Sequence, residues 1–259
     1  IFKDIDVYQI ELSRNEIEKF SNYTFCGVKR LGEITLNTNK LKHLNDLIEG
    51  ISICNIKTIK TLIIHKNLIE IIDVDFTEYF LNLEYLDLRF NQIKYIKKNS
   101  LDKLINLNTL LLSNNLLNQI DFIDIYKFEY IENIELYSNF LNTFYVNDHD
   151  KFLPNSVKRL DLKNSTIKNL APFSFQNFIK LTNLFISDNN LKLILSQTFK
   201  NLTNLENLNL KNNKIETIEQ GAFLDLYNLK FLNLDNNRIN VLNKKMLYGL
   251  KIMFDLKLR

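Results

Sequence analysis

Few residues in this sequence are equipped for chemistry. Three histidines (His43, His65, His149) and two cysteines (Cys26, Cys54) occur in 259 residues. Nucleophilic catalysis needs a hydroxyl or thiol beside a base that a third group orients, and no such pattern surrounds any of the histidines. Paired carboxylates do acid–base work when their surroundings push the two pKa values apart. Asp87 and Glu135 are the pair to weigh: two strands apart in a sheet they would lie roughly 9–10 Å from each other, and nothing in the sequence marks either for burial. Phosphate binding by a glycine-rich loop needs clustered glycines, whereas the five here are scattered. Asp148-His149-Asp150 has metal-ligand residue types, but one short polar tract reads as an exposed loop. Two thiols are too few for a zinc site. No catalytic residue, metal or cofactor is expected, and the chain does not read as an enzyme.

Composition narrows the alternatives. Apolar residues make up 46% and charged residues 24%, a globular balance, and 33 basic residues against 30 acidic give a net charge of +3. The charges are interspersed, so no basic stripe suggests nucleic acid or an anionic membrane as partner. No apolar run approaches the roughly 18–20 residues that span a bilayer. The chain begins at Ile1 with no signal-peptide pattern, so it is expected to be a mature or partial chain, with any membrane anchor in the parent outside it.

What organises the sequence is a repeat. LENLNLKNNKIETIEQGAFLDLYN (205–228) and LKFLNLDNNRINVLNKKMLYGLKI (229–252) both follow L-x-x-L-x-L-x-x-N-x-(L/I)-x-x-(L/I). The frame starts at Val7, Leu31, Ile59, Leu83, Leu107, Ile131, Val157, Leu181, Leu205, Leu229 and Met253. Its period is 24 residues, except for 28 after Leu31 and 26 after Ile131. Ten full repeats and the start of an eleventh fill residues 1–259 as a single domain. Positions four and six alternate to one side of a short strand. One such unit cannot bury its apolar edge, but a stack turns the edges into a continuous core, with parallel strands about 4.8 Å apart.

This pattern resembles a leucine-rich repeat. Its 24-residue form resembles the typical extracellular subclass, as in Toll-like receptor ectodomains and chaoptin- or slit-like adhesion proteins. The resemblance implies an α/β-type repeat solenoid: a curved horseshoe with a parallel concave sheet and an irregular or short-helical convex side. It implies a non-catalytic module that recognises a protein ligand or co-receptor, outside the cell or on its surface, in a receptor of Toll-like type. An adhesion or matrix protein without signalling is the second reading and an intracellular scaffold the third. Extracellular members carry cysteine-rich terminal caps, and none is visible here. The chain is therefore expected to be a fragment less stable than its parent, since open stack ends expose core.

The ninth position holds Asn15, Asn39, Asn67, Asn91, Asn115, Asn139, Asn189, Asn213 and Asn237. A buried turn leaves backbone groups without ladder partners, and a short amide both donates and accepts. These residues are expected to form a structural ladder between neighbouring turns. Ser165 replaces the amide in one repeat and is expected to weaken the ladder without breaking it. Phe25, Phe175, Phe199 and Phe223 are expected to form a convex-side spine.

Cys26 and Cys54 lie five residues before Leu31 and Ile59, at equivalent positions of adjacent turns. Adjacent turns approach the Cα separation that a disulfide needs, so a bridge is expected, and with it an oxidising compartment. Three glycosylation sequons begin at Asn22, Asn164 and Asn201, no more than so much asparagine yields by chance. Both long repeats are expected to bulge as loops, around 45–55 and 147–154.

Positions two, three, five, seven and eight point away from the core. Position five is mostly polar: Glu11, Thr35, Glu135, Asp161, Asn209 and Asn233. Repeats three to six break the rule with Ile63, Tyr85, Phe90, Leu111 and Tyr137, joined by Leu68, Leu116 and Phe140 on the adjoining ascending edge. Contiguous exposed apolar and aromatic surface marks an interaction site, so these eight residues are the expected ligand-binding patch. Arg89, Glu135, Arg159 and Asp161 are expected to tune partner choice.

Overall fold

The computed structural model describes residues 2, 4–51, 57–119, 128–144, 156–241 and 245–259, without the side chains of 74–76. Two compact units emerge, Ile1–Leu117 with Phe122–Ile131 and Asn118–Asp121 with Glu132–Arg259. Each is a parallel-sheet repeat solenoid.

In the first unit the strands Gln9–Glu11, Glu33–Thr35, Thr61–Ile63, Tyr85–Asp87 and Thr109–Leu111 pair in chain order, all parallel. In the second the order is Asn133–Glu135, Arg159–Asp161, Asn183–Phe185, Asn207–Asn209, Phe231–Asn233 and Asp255–Lys257. Every one of these strands occupies positions three to five of its repeat. Their register pairs equivalent positions, such as Leu62 with Leu86 and Leu208 with Leu232. The cause is burial at positions one, four and six: Leu83, Leu86 and Leu88, like Leu205, Leu208 and Leu210, have no solvent exposure. One strand alone would leave this apolar edge in water; the next repeat covers it.

Position eight then turns the chain inward. Arg14, Thr38, Lys66, Phe90, Asn114, Ser138, Asn164, Asp188, Asn212 and Asn236 all have left-handed φ, between 49° and 60°. The turn aims the position-eight N–H at the position-seven carbonyl of the following repeat, as from Phe90 to Ser113 (3.0 Å) and from Asn212 to Asp235 (2.9 Å). It also drives the next side chain into the core. The Asn91 amide donates to Leu88 O in its own turn (3.0 Å) and to Ile64 O in the turn before (3.1 Å), and its carbonyl accepts the Ile69 N–H at 3.1 Å. Asn39, Asn67, Asn115, Asn189, Asn213 and Asn237 bridge turns in the same manner. Asn139 donates to Leu136 O at 2.8 Å. Asn15 is exposed and donates within its own turn, to Leu12 O and Ser13 O. Ser165 reaches both Leu136 O (3.1 Å) and Lys163 O (3.0 Å), but a hydroxyl has one hydrogen to share between them.

Opposite the sheets lie turns and short bridges, such as Leu193–Ile194 with Thr217–Ile218, and a 3-10 segment, Val74–Tyr79. In the second unit Phe144, Phe175, Phe199 and Phe223 stack in sequence, with centroids 4.9, 5.8 and 5.9 Å apart. In the first, Phe25 stacks on Phe2 (5.7 Å) and tilts against Phe20 (5.1 Å).

The first long repeat departs from the loop expected of it. Asn45–Ile51 is an α-helix whose Leu47, Ile48, Gly50 and Ile51 are buried. Leu44, Leu47, Ile48 and Ile51 recur at helical spacing, so the extra residues make an amphipathic turn rather than a surface loop. The Asp46 carboxylate accepts the His43 and Lys42 N–H groups, and Gly50 lets the helix lie against Phe20 and Phe25. The loop expected at 147–154 in the second long repeat, with Asp148-His149-Asp150, lies outside the described residues.

Candidate recognition surface

In the first unit, the outward residues of the repeats starting at Ile59, Leu83 and Leu107 carry the apolar surface. Ile63, Leu68 and Tyr85 are half-buried, and Phe90 and Leu116 are 45% and 39% exposed. Leu111 corrects the expectation: it is only 4% exposed and offers a partner almost nothing. Leu111 closes its strand, and the parallel strand Tyr85–Asp87, about 4.8 Å away, narrows the room beside it. Thr35, Asp87 and Asp161 are buried at the same position.

Phe90 stands apart from its equivalents. Left-handed φ is costly for a bulky residue and tolerable for Asn or Asp, which occupy position eight at 114, 164, 188, 212 and 236. Phe90 holds φ at 54° and exposes its ring. Neither backbone preference nor burial favours phenylalanine there. Lys66 Nζ lies 5.7 Å from the ring centroid, in cation–π range.

Beside this patch, Asp87 is a buried hub. Its oxygens accept from Arg89 Nε (3.0 Å) and Nη2 (2.7 Å) and from the Arg89 N–H (3.0 Å), and His65 Nδ1 lies 3.2 Å away. One expectation changes: Asp87 is buried, with His65 among its partners. The arrangement remains unsuited to base catalysis, because Arg89 already neutralises the carboxylate. Among the described residues, no hydroxyl or thiol is hydrogen-bonded to His65.

The second unit repeats this device. Asp161 is buried and accepts from Arg159 Nη2 (3.1 Å) and the Lys163 N–H (3.2 Å), with Lys163 Nζ at 3.4 Å. Arg159 lies over the Phe185 ring at 4.3 Å, and Lys163 lies 5.7 Å from the Tyr137 ring. Asp161 therefore reaches solvent only through the cations it holds, which corrects its expected direct part in partner choice. Glu135 and Tyr137 are half-buried, and Phe140 is exposed.

Sequence reasoning passed over Phe185 and Phe231 at outward positions five and three. Continuing the position count beyond the sixth repeat is the signal that finds them. Asn22, Asn164 and Asn201 are exposed. The Asn164 amide donates to Ser138 Oγ at 3.1 Å, and the Asn201 N–H to Asp225 Oδ2 at 3.0 Å. Burial pushes the Asp225 carboxyl up, but the Asn201 N–H, the Lys200 ammonium and the Tyr227 hydroxyl outweigh it and hold it below its ordinary value. Cys26 is disulfide-bonded; Cys54 lies outside the described residues.

Comparison with known proteins agrees with this architecture. A family model for the leucine rich repeat matches residues 57–117, 155–215 and 203–259. Human Toll-like receptor 8 is 30% identical over 198 residues, which is 71% of this chain and 18% of the receptor. A leucine-rich-repeat protein of Leptospira interrogans superposes with a TM-score of 0.77 at 26% identity, over 97% of this chain and 60% of that one. Drosophila Toll, solved in complex with Spatzle, gives 0.76 at 25% identity, over 100% of this chain and 38% of Toll. The chain thus spans under a fifth of the human relative's length.

Proposed function

The chain belongs to the leucine-rich repeat family, and from that premise we propose that it is a non-catalytic module that binds a protein ligand through the first unit's outward patch, as part of an extracellular receptor ectodomain. The observation that carries this is Phe90: an exposed aromatic held in a backbone conformation suited to asparagine, beside Tyr85, Leu68 and Leu116. Strained, exposed residues that the scaffold does not need cluster at binding sites, and rigid aromatics dominate interface energetics. The similarity to Toll, solved in complex with Spatzle, supports a macromolecular partner here. Arg89, locked to Asp87, supplies an oriented cation at the patch edge. The bonded Cys26 and the exposed sequon asparagines support an oxidising, extracellular setting.

The test places a photo-crosslinking residue at Tyr85 in the full-length protein, on cells of its source organism, with the same residue at Lys192 as control. A protein captured at Tyr85 and absent at Lys192 supports the reading; identical capture at both sites, or none, overturns it. Two readouts test the compartment. Thiol labelling of Cys26 is expected only after reduction, and glycosidase treatment is expected to lower the mass. Free thiols together with unchanged mass would contradict an extracellular setting.

A further inference from the structure

The geometry points to a second binding site, for the ring of a neutral saccharide, on the outward face of the second unit's sheet. A shallow cavity of about 170 Å³ opens over the strands from Asn183 to Lys257, and Phe185, Asn207, Asn209, Phe231 and Asn233 line it. By water's share of liquid volume this holds about six water molecules, room for a single hexopyranose.

Its lining is polar in one particular sense. Asn209 Oδ1 accepts the Lys211 N–H at 3.1 Å, and Asn233 Oδ1 accepts the Asp235 N–H at 3.0 Å. Because the backbone donates in both contacts, the amide orientation is settled, and each NH2 end is left to donate elsewhere. The Asn207 amide donates to Asn183 Oδ1 at 2.8 Å, which leaves the Asn207 carbonyl as an acceptor. Asp255 and Lys257 at the rim pair with each other at 3.5 Å, so the cavity has no net charge.

Two rings frame these amides. Arg159 covers one side of Phe185, and Phe185 also lines the cavity. Phe231 is 45% exposed. The strands that carry the two rings are separated by one strand, roughly 9–10 Å in all.

This set selects by elimination. An anion meets Lys257, already paired with Asp255, and beyond Phe185 the cations Arg159 and Lys163, already held by Asp161; a cation meets one carboxylate already paired. A wholly apolar ligand would cover amide donors without satisfying them, at a cost in free energy. A pyranose has an apolar C–H face for a phenylalanine ring and hydroxyls that both accept and donate, matching two amide donors and one acceptor. Affinity in the millimolar range is expected of so small and open a site.

The test is ligand-observed saturation-transfer NMR on the intact chain, with methyl β-glucopyranoside, methyl α-mannopyranoside, methyl β-galactopyranoside and N-acetylglucosamine as probes. At least one is expected to bind at millimolar concentration. Phe231→Ala and the double variant Asn209→Ala/Asn233→Ala are each expected to weaken it at least tenfold, whereas Lys192→Ala, at an exposed residue outside the cavity lining, leaves it unchanged. Far-UV circular dichroism confirms that each variant is folded. The proposal is overturned if no glycoside gives transfer, if the signal survives the cavity variants, or if inorganic phosphate or tetraglycine displaces the bound glycoside with equal affinity.

Discussion

Asp87 and Arg89, two residues apart on one strand end, form a two-pronged ion pair whose carboxylate is buried while the guanidinium reaches solvent. The pairing fixes a cation on the sheet's outward face, and with the His65 ring it occupies both oxygens of the acid. Arg89→Lys keeps the charge and loses the fork, so a loss of about 1 kcal/mol is expected. Asp87→Asn leaves both Arg89 and His65 short of an acceptor and should cost about 2 kcal/mol. Urea midpoints measure both, and wild-type values for the two variants would show that the hub contributes nothing.

The ladder predicts a gradient with burial. Asn91→Ala removes three hydrogen bonds, two of them between turns, and strands the Ile69 N–H inside the core, a loss of about 2–3 kcal/mol. Asn15→Ala, at an exposed residue bonded within its own turn, should cost well under half of that. Ser165→Asn restores the second amide hydrogen and should gain about 1 kcal/mol. Thermal unfolding of the three variants should order them accordingly; equal losses for Asn15 and Asn91 would refute the ladder as a source of stability.

Gly50 is predicted to resist substitution for reasons of space. An added Cβ would stand 2.9 Å from Phe20 Cβ and 3.2 Å from the Phe25 ring. Alanine, normally the better helix former, should instead destabilise by about 1–3 kcal/mol through overpacking. A rise in melting temperature for Gly50→Ala would show that the helix stands further off.

Asp225 gives an acid-side dependence. Its folded pKa lies below its ordinary 3.8, so the unfolded chain takes up the proton first. The stability it contributes is complete above that ordinary value and disappears as pH falls through the depressed folded one. Asp225→Asn should therefore destabilise at pH 7 and flatten this part of the acid-unfolding curve. An unchanged difference from wild type between pH 6 and pH 3 would contradict the assignment.

Most of the scaffold was legible because it is periodic. Any residue's position in the 24-residue frame states whether it points into the core, and the strands at positions three to five follow. What escaped depends on neighbours rather than on position. Asp87 and Asp161 are buried beneath cations of their own repeats, Arg89 over the first and Arg159 and Lys163 over the second, and a rule that counts position five as outward does not weigh that pairing. The helix Asn45–Ile51 was hidden because its helical spacing of apolar residues was set aside as an insertion in a β-type frame. The left-handed turn at position eight has a sequence trace in Asn114, Asn164, Asn212 and Asn236, but Arg14, Lys66 and Phe90 obscure it. That mismatch between residue and backbone is what singles out Phe90 once the structure is known.

The most direct measurement pairs stability with binding in one variant, Phe90→Asn. Asparagine suits the left-handed turn, so melting temperature should rise, corresponding to about 1 kcal/mol. Affinity for the protein captured at Tyr85 should fall at least tenfold. That opposition is the signature of a residue kept for recognition at the scaffold's expense. A variant that is more stable and binds the captured protein with undiminished affinity would contradict the account.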